Sequence, residues 1–556
     1  VQVRFHFAGT LDLDAFRAAW FALCRRHAVL RSAFVHRDLA RPLQVVLRDR
    51  KPEVAFHDFR HLGEAERQTC LNAFCLNERR RGFDLDREPL LRVAVFHEAE
   101  SDYHIVWSYH HILIDGWCLS ILQRDFVEIY TALLARRTPR LAAAAPYRNY
   151  INWLGRQDAE AARRFWRQYL EGYEHLATLP KFGSAEAGQP RSLGEEILVL
   201  DADTSARLAR LAARAGATLN AVLRSLWGFL LARYNDRDEV VFGAIVSGRP
   251  AELAGVEEMV GLFIGAVPVR VAAKPNLLFV DLVRAVQDTA LASEAHQHLS
   301  LADIQKESAL GRNLFDHMLI FENYPLRAAG RPAESGVRAE FTPVEAYDPT
   351  HYDLDLTIAP GETITVKFTY DAAVYRPDQM RRTAGHLRTA VESILENPAR
   401  PLREISILPP SEQRLLIDEF NATQADYPRD LSFVDLFEEQ AAKTADDLAL
   451  RCGELEASYR ELNRSANRLA HHLRSLGVGP EVSVGLCVER TPAMIIGPLA
   501  IMKAGGVFVP LDPDYPRDRL AFMLADAGIA VLLTEQRLAG RLPSHDAAVI
   551  LLDRDA

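Results

Sequence analysis

At 556 residues the chain is too long for one ordinary hydrophobic core, and it predicts three or four compact units. Hydrophobic residues make up 49% and charged residues 25%, which excludes a disordered chain. With 75 acidic against 65 basic residues the net charge is -10, and no Lys/Arg-rich block offers a stripe for tracking phosphates, so nucleic acid is not an expected partner.

Val1 to Phe7 alternates like a strand and lacks the apolar core of a signal peptide. The chain starts without methionine and already inside an element, so it reads as a segment of something longer. Leu11 to Val29 reads as an amphipathic helix with Phe16, Trp20 and Leu23 on one stripe. Strands follow at Val93–Phe96 and Tyr103–Tyr109, then helices at Leu119–Leu134 and Asp158–Leu170. Lys181 to Pro190, rich in Gly, Pro and Ala, reads as a linker between two lobes.

The second lobe restarts with a strand at Ile197–Leu200. Asp203 and Thr204 can cap a helix that Gly216 ends. Leu219 to Tyr234 is apolar nearly all round and predicts a buried helix, followed by a strand at Glu239–Val246. Leu354, Leu356 and Ile358, then Ile364, Val366 and Phe368, alternate on either side of Pro360-Gly361 and predict a hairpin. Each lobe mixes helices with strands, a weak hint of duplication. A second linker runs from Pro401 to about Pro428. Beyond it, short apolar strands (Val482–Cys487, Val531–Leu533) alternate with helices (Leu462–Leu476, Thr491–Ala504), the texture of a separate α/β domain.

Six cysteines occur with no C-x-x-C pair, which predicts reduced thiols in a cytoplasmic protein. No apolar run reaches the ~18 residues of a membrane span.

The chemistry centres on His110-His111-Ile112-Leu113-Ile114-Asp115-Gly116. If the strand runs regularly through the pair, successive side chains point to opposite faces, so only one histidine faces a given cavity. Gly116 permits a tight turn after Asp115. A neutral imidazole can take a proton from an attacking amine near neutral pH. The bland reading is a structural pair, one histidine packed and one exposed. A metal site from His110, His111 and Asp115 lacks a further ligand cluster, and Cys118 as nucleophile lacks a base of its own.

The surrounding segments narrow the choice. Ser108–Ser120 resembles the H-H-x-x-x-D-G signature, with flanks, of condensation domains in nonribosomal peptide synthetases. Arg26–Phe34, Tyr147–Trp153, Val246–Pro250, Val260–Ile264, His296–Leu301 and Leu314–Asp316 through Phe321–Pro325 resemble further motifs of that family, in its order. The resemblance covers residues 1 to about 405.

It implies an α/β fold of two chloramphenicol-acetyltransferase-like α+β lobes in a V, residues 1–180 and 181–405. It also implies a linker at 406–430 and a partial adenylation subdomain at 431–556. Upstream donor and downstream acceptor carrier domains would present 4'-phosphopantetheine thioesters as substrate arms; no cofactor or metal is expected to be bound by the chain itself. The resemblance makes His111 the active histidine, as general base or by positioning the amine and stabilising the tetrahedral intermediate. His110, Asp115 and Gly116 become supports, with Arg31 the expected partner of Asp115, and Trp117, Ser247 and Gly265 candidate tunnel residues. The flanks of the motif and Phe321–Pro325 look like the subtype joining an L-configured donor to an L-configured acceptor.

There are departures. Ile264-Gly265-Ala266 replaces the family's usual V-N-T, and the opening S-x-A-Q-x-R-L-W segment is missing. Ser458–Leu462 and Met502–Asp512 resemble the first two motifs of adenylation domains. The Ser/Thr/Gly-rich phosphate loop that follows in that family does not occur, so adenylation by these residues alone is not expected. No carrier-domain G-G-x-S occurs, so both carriers and the rest of the adenylation domain are expected to be partners outside this segment. Two alternatives stand. A serine hydrolase would need G-x-S-x-G, which Ser247 lacks; a non-catalytic carrier-binding module derived from a condensation domain would keep the fold without the chemistry.

Overall fold

The computed structural model describes residues 1–37, 39, 41–183, 191–322, 340–348 and 350–554, with the backbone alone at 340–343 and 345. Most of the predicted inter-lobe linker and Asn323-Tyr324-Pro325 lie outside the described residues. The chain divides into two compact units, Val1–Glu419 and Phe420–Ala556, rather than the three or four that length predicts.

The first unit opens with β1 (Gln2–Ala8), α1 (Leu13–Arg26), β2 (Ser32–Val35), β3 (Leu43–Val46), β4 (Glu53–Asp58), α2 (Glu64–Arg81), β5 (Leu91–Ala99), β6 (Asp102–Tyr109), α3 (Gly116–Leu134), α4 (Arg148–Leu154) and α5 (Ala159–Leu170). It continues with β7 (Leu193–Leu200), α6 (Ala202–Ala215), α7 (Leu219–Asn235), β8 (Glu239–Val246), β9 (Gly265–Ala272), α8 (Phe279–Glu294) and α9 (Leu301–Lys306). Last come β10 (His317–Phe321), β11 (Glu340–Tyr347), β12 (Leu354–Ala359), β13 (Ile364–Asp371), α10 (Pro377–Glu396) and the short α11 (Pro410–Arg414).

Two sheets organise this unit, ordered β11-β1-β6-β5-β4 and β7-β13-β12-β10-β8-β9. Helices α1 and α3 cover the first sheet through a buried aromatic cluster: Phe16 meets Phe126 edge-on at 5.2 Å, and Trp20 meets Trp107 at 5.2 Å. Helix α7 is buried along most of its length over the second sheet, as its all-round apolar sequence predicts. Pro360-Gly361 does join an antiparallel hairpin, β12–β13. The α6 cap is Asp201 rather than Asp203 or Thr204: its carboxylate accepts from Thr204 N–H at 2.7 Å. Each sheet carries a hairpin followed by a long helix, β5–β6–α3 and β12–β13–α10, a repeated unit that the sequence only hints at.

Two crossings explain why the two sheets form one unit. Strand β11, far along the chain, pairs antiparallel with β1 in the first sheet. Helix α5 in turn buries Trp166 and Leu170 against Val241 and Val267 of β8 and β9.

The second unit contains α12 (Phe433–Lys443), β14 (Leu448–Cys452), β15 (Leu455–Ser458), α13 (Tyr459–Ser475), β16 (Ser483–Cys487), α14 (Ala493–Ala504), β17 (Val507–Pro510), α15 (Arg517–Asp526), β18 (Val531–Thr534), α16 (Gln536–Ala539) and β19 (Ala548–Leu551). Its four-stranded sheet, β17-β16-β18-β19, is parallel throughout. Ser458 and Glu461 form a capping box that starts α13, and Gly505, at φ 87°, ends α14.

Among the described residues no single helix is long and apolar enough to cross a membrane. The pair α6–α7 reaches the length and composition only when taken together, and it bends by 101°.

Candidate active site

The site begins where β6 stops. Tyr109, the last residue of β6, pairs with Leu91 of β5, and His110 N–H donates to the Leu90 carbonyl at 3.0 Å. The chain then turns, with Leu113 N–H donating back to the His110 carbonyl at 3.1 Å. Both histidines therefore sit in a turn, and strand alternation does not sort them as the sequence pattern assumed. Gly116 differs from expectation as well: it is the first residue of α3, and its φ is not positive. Asp115 starts the helix directly by accepting from Cys118 N–H at 3.2 Å.

The two rings have different surroundings. His110 Nδ1 accepts from Ile112 N–H at 3.1 Å, and the ring stands edge-on to Phe83. Burial lowers the His110 pKa, with a smaller contribution from His111, which favours the neutral ring and leaves its Nδ1 free to accept. The His111 side chain is 32% exposed, and its Nε2 lies 3.6 Å from Asp348 Oδ2, just beyond β11.

Asp115 is buried and fully engaged. Its Oδ2 accepts from Phe263 N–H at 3.0 Å and its Oδ1 faces Arg249 Nη2 at 3.2 Å. Arg249 donates also to the Met259 carbonyl at 3.0 Å and lies 3.9 Å above the Phe263 ring. This corrects the expected Arg31–Asp115 pair. Arg31 sits in the turn after α1, where three carbonyls occupy its guanidinium: Cys24 at 3.0 Å, Leu47 at 2.6 Å and Arg48 at 3.0 Å.

Segments singled out in the sequence converge here. Tyr150 of α4 packs 4.5 Å from the Phe263 ring, and Trp153 Nε1 donates to Glu252 Oε1 at 3.1 Å. Trp117 Nε1 donates to the Glu257 carbonyl at 3.0 Å. Gly248, at φ 59°, lies so close to the Phe263 carbonyl that a Cβ would fall 1.9 Å from that oxygen. Gly265 opens β9 opposite Val246, and Ser247 follows β8 as an exposed residue. The segment around His27 stands apart from the turn. His27 Nε2 and Arg26 Nε hold the buried Asp125 of α3 at 2.9 Å and 2.7 Å, which locks the end of α1.

Two other chemistries lose ground. Burial, with Asp115 beside it, pushes the Cys118 thiol up to about 12, so it carries no thiolate near neutral pH. Among the described residues no group of three or more His, Cys, Asp or Glu side chains could hold a metal ion.

The residues that sequence reasoning missed are Arg249 and Asp348. Arg249 lies within the quoted Val246–Pro250 segment, so a signal existed. Asp348 belongs to no quoted motif, and only the β11 crossing brings it near His111.

Residues 1–417 match the family model for the condensation domain, and residues 437–556 match that for AMP-binding enzymes. Tyrocidine synthase 2 of Brevibacillus parabrevis is 37% identical over 546 residues, 98% of this chain and 15% of that protein. Gramicidin S synthase 2 of Brevibacillus brevis is 35% identical over 555 residues, 100% of this chain and 12% of that protein. The chain thus spans 15% or less of the length of these relatives. In fold it is similar to a four-domain nonribosomal peptide synthetase bound to AMP and glycine. The TM-score there is 0.78 at 20% identity, covering 100% of this chain and 43% of that one. The X-domain from teicoplanin biosynthesis gives 0.63 at 23% identity, covering 73% of this chain and 93% of that one.

Proposed function

The chain belongs to the condensation-domain family, followed by the N-terminal part of an AMP-binding enzyme, and we propose that it joins two carrier-bound acyl groups through an amide bond. The observation that carries this reading is the state of the motif's turn. The His111 side chain is left partly open, while His110 Nδ1 and the Asp115 carboxylate are already taken up by Ile112 N–H and by Arg249 with Phe263 N–H.

The acceptor's α-amine attacks the donor's thioester carbonyl. The C–N bond forms, the C–S bond breaks with its electron pair going to sulfur, and the thiol leaves. One proton passes from the amine nitrogen to His111, as general base, and one reaches the sulfur. The acyl group arrives activated, so no covalent enzyme intermediate is needed. Phosphopantetheine is then a substrate arm of the two carrier domains, and the rest of the adenylation domain is a partner. We place this chemistry in the cytoplasm, in keeping with six free cysteines among the described residues. The flanks of the motif favour L-configured donors and acceptors. Trp117, Ser247 and Gly265 remain our candidates for lining the substrate path.

The test supplies the chain with donor-loaded and acceptor-loaded carrier domains and follows acyl transfer by mass spectrometry. The expected result is a dipeptidyl thioester on the acceptor carrier. A chain that binds both carriers and leaves the acceptor unchanged would be a carrier-binding module, and the catalytic reading would fall.

A further inference from the structure

The structure points to a second substrate-contacting group. We infer that Asp348 and His111 Nε2 together hold the acceptor's protonated α-amine before transfer, an inference that rests on the amide-forming reading.

The placement follows from sheet register. Gln2 of β1 pairs with Ser108 of β6 on one side and with Tyr347 of β11 on the other. Strands β6 and β11 both run antiparallel to β1, so they run parallel to each other and leave the sheet at the same edge. The residues just beyond them, His110-His111 and Asp348, therefore emerge side by side. Beyond residue 349 the chain is fastened again: Thr350 Oγ1 donates to Asp355 Oδ1 at 2.7 Å, and Thr350 N–H donates to Asp355 Oδ2 at 3.2 Å.

The separation itself is informative. At 3.6 Å, His111 Nε2 and Asp348 Oδ2 are too far apart for a direct hydrogen bond. A nitrogen placed about 2.8 Å from each atom completes a triangle on that base, the usual length of a charge-assisted bond. With the side chains 32% and 49% exposed, both groups are open to an incoming ligand.

Charge chooses the ligand. An α-amine with a pKa of about 7.7–8.0 is mostly ammonium at neutral pH, so it brings donors where the site offers two acceptors. Among the described residues, the Glu322 acid after β10 and the Asp355 acid on β12 lie within electrostatic reach of Asp348, and Arg79 lies over the ring of the adjacent Tyr347. The ammonium gives one proton to His111 Nε2 and its freed electron pair forms the C–N bond; the nitrogen of the adduct then loses a second proton, which the thiolate leaving with the C–S electron pair takes up, and His111 returns its own proton to solvent. Asp348 keeps a second N–H of the same nitrogen and stabilises the positive charge that nitrogen gains on attack. An acceptor with a hydroxyl in place of the amine has one O–H to share between the two groups and no positive charge for Asp348 to stabilise.

The test is calorimetric binding of two unreactive acceptor analogues to the 556-residue chain. One is alanyl-aminopantetheine, with an amide in place of the thioester, and the other is its N-acetyl derivative. The free-amine probe is expected to bind about tenfold tighter or more, the worth of one hydrogen bond between charged partners. Asp348→Asn should abolish that preference and Asp348→Glu should retain part of it. Binding of the N-acetyl probe should stay unchanged in both, which reports an intact fold. No binding of the amine probe, equal binding of the two probes, or a preference that survives Asp348→Asn would overturn the inference. Condensation by a chain without amine preference sinks Asp348 alone; an Asp348-dependent preference without condensation sinks the catalytic reading instead.

Discussion

Arg249 Nη2 lies 3.2 Å from Asp115 Oδ1, with the two side chains 5% and 1% exposed, in an ion pair that links the turn after β6 to the loop after β8. Two buried charges stabilise little as a pair, but removing one strands the other. Asp115 also caps α3 and accepts from Phe263 N–H, so its carboxylate fastens three pieces of chain.

Asp115→Ala is therefore expected to cost about 3–5 kcal/mol of stability, and Asp115→Ala with Arg249→Met less than the sum of the two single changes. Urea unfolding followed by tryptophan fluorescence reads this cleanly. All six tryptophans (Trp20, Trp107, Trp117, Trp153, Trp166 and Trp227) belong to the first unit. Strict additivity would contradict the coupling.

The two histidines should separate by readout. His111→Ala is expected to slow single-turnover condensation by about 10²–10⁴ with the melting temperature unchanged, because a partly open ring contributes little packing. His110→Ala removes the acceptor for Ile112 N–H, and its expected cost is about 1 kcal/mol of stability. Equal effects of the two variants on rate and melting would contradict this division of roles.

How much of this was legible in the sequence depended on distance along the chain. The alternation in Tyr103–Tyr109 and the apolar run of Leu219–Tyr234 specify their elements locally, because burial pattern and period are written in adjacent residues. The strand's end at Tyr109 was legible as well; what the sequence left open was whether it ran on through His110-His111, which depends on pairing beyond Leu91 rather than on residue type. The partner of Asp115 was misread for a related reason. An arginine near a motif in sequence is a candidate partner only if nearer carbonyls do not take it, and Arg31 is taken by three. Asp348 lies 237 residues from His111, and only a strand exchanged between sheets reveals it.

Asp355 makes stability fall as pH rises. Burial, opposed by bonds from Thr350, leaves its pKa raised to about 6 from the ordinary 3.8. The folded state thus holds this proton more tightly than the unfolded one. That contribution is present below about pH 4 and lost as pH climbs through 6, a swing of up to about 3 kcal/mol. Asp355→Asn can satisfy Thr350 through its amide oxygen and nitrogen without charge, so it should be more stable than the parent above pH 6 and similar near pH 4. Urea midpoints from pH 4 to 8 check this; a variant less stable than the parent at pH 8 would reverse the sign.

Two glycines near the motif should respond differently to one added methyl group. At Gly248 the backbone has φ 59°, and a Cβ would fall 1.9 Å from the Phe263 carbonyl oxygen. Neither neighbour can yield cheaply, since Phe263 N–H is held by Asp115 and its ring lies under Arg249. Left-handed backbone alone costs a residue with a Cβ about 1–2 kcal/mol, so with the clash Gly248→Ala should lose more than about 2 kcal/mol. At Gly265 the nearest atoms to a Cβ would be Val246 Cγ2 at 3.5 Å and the Gln297 carbonyl at 3.6 Å, ordinary contact distances. Gly265→Ala should therefore stay within about 0.5 kcal/mol of the parent in stability. Urea midpoints compare the two. If Gly265→Ala is the more damaging, the close approach at Gly248 is not what holds the Phe263 loop against Asp115.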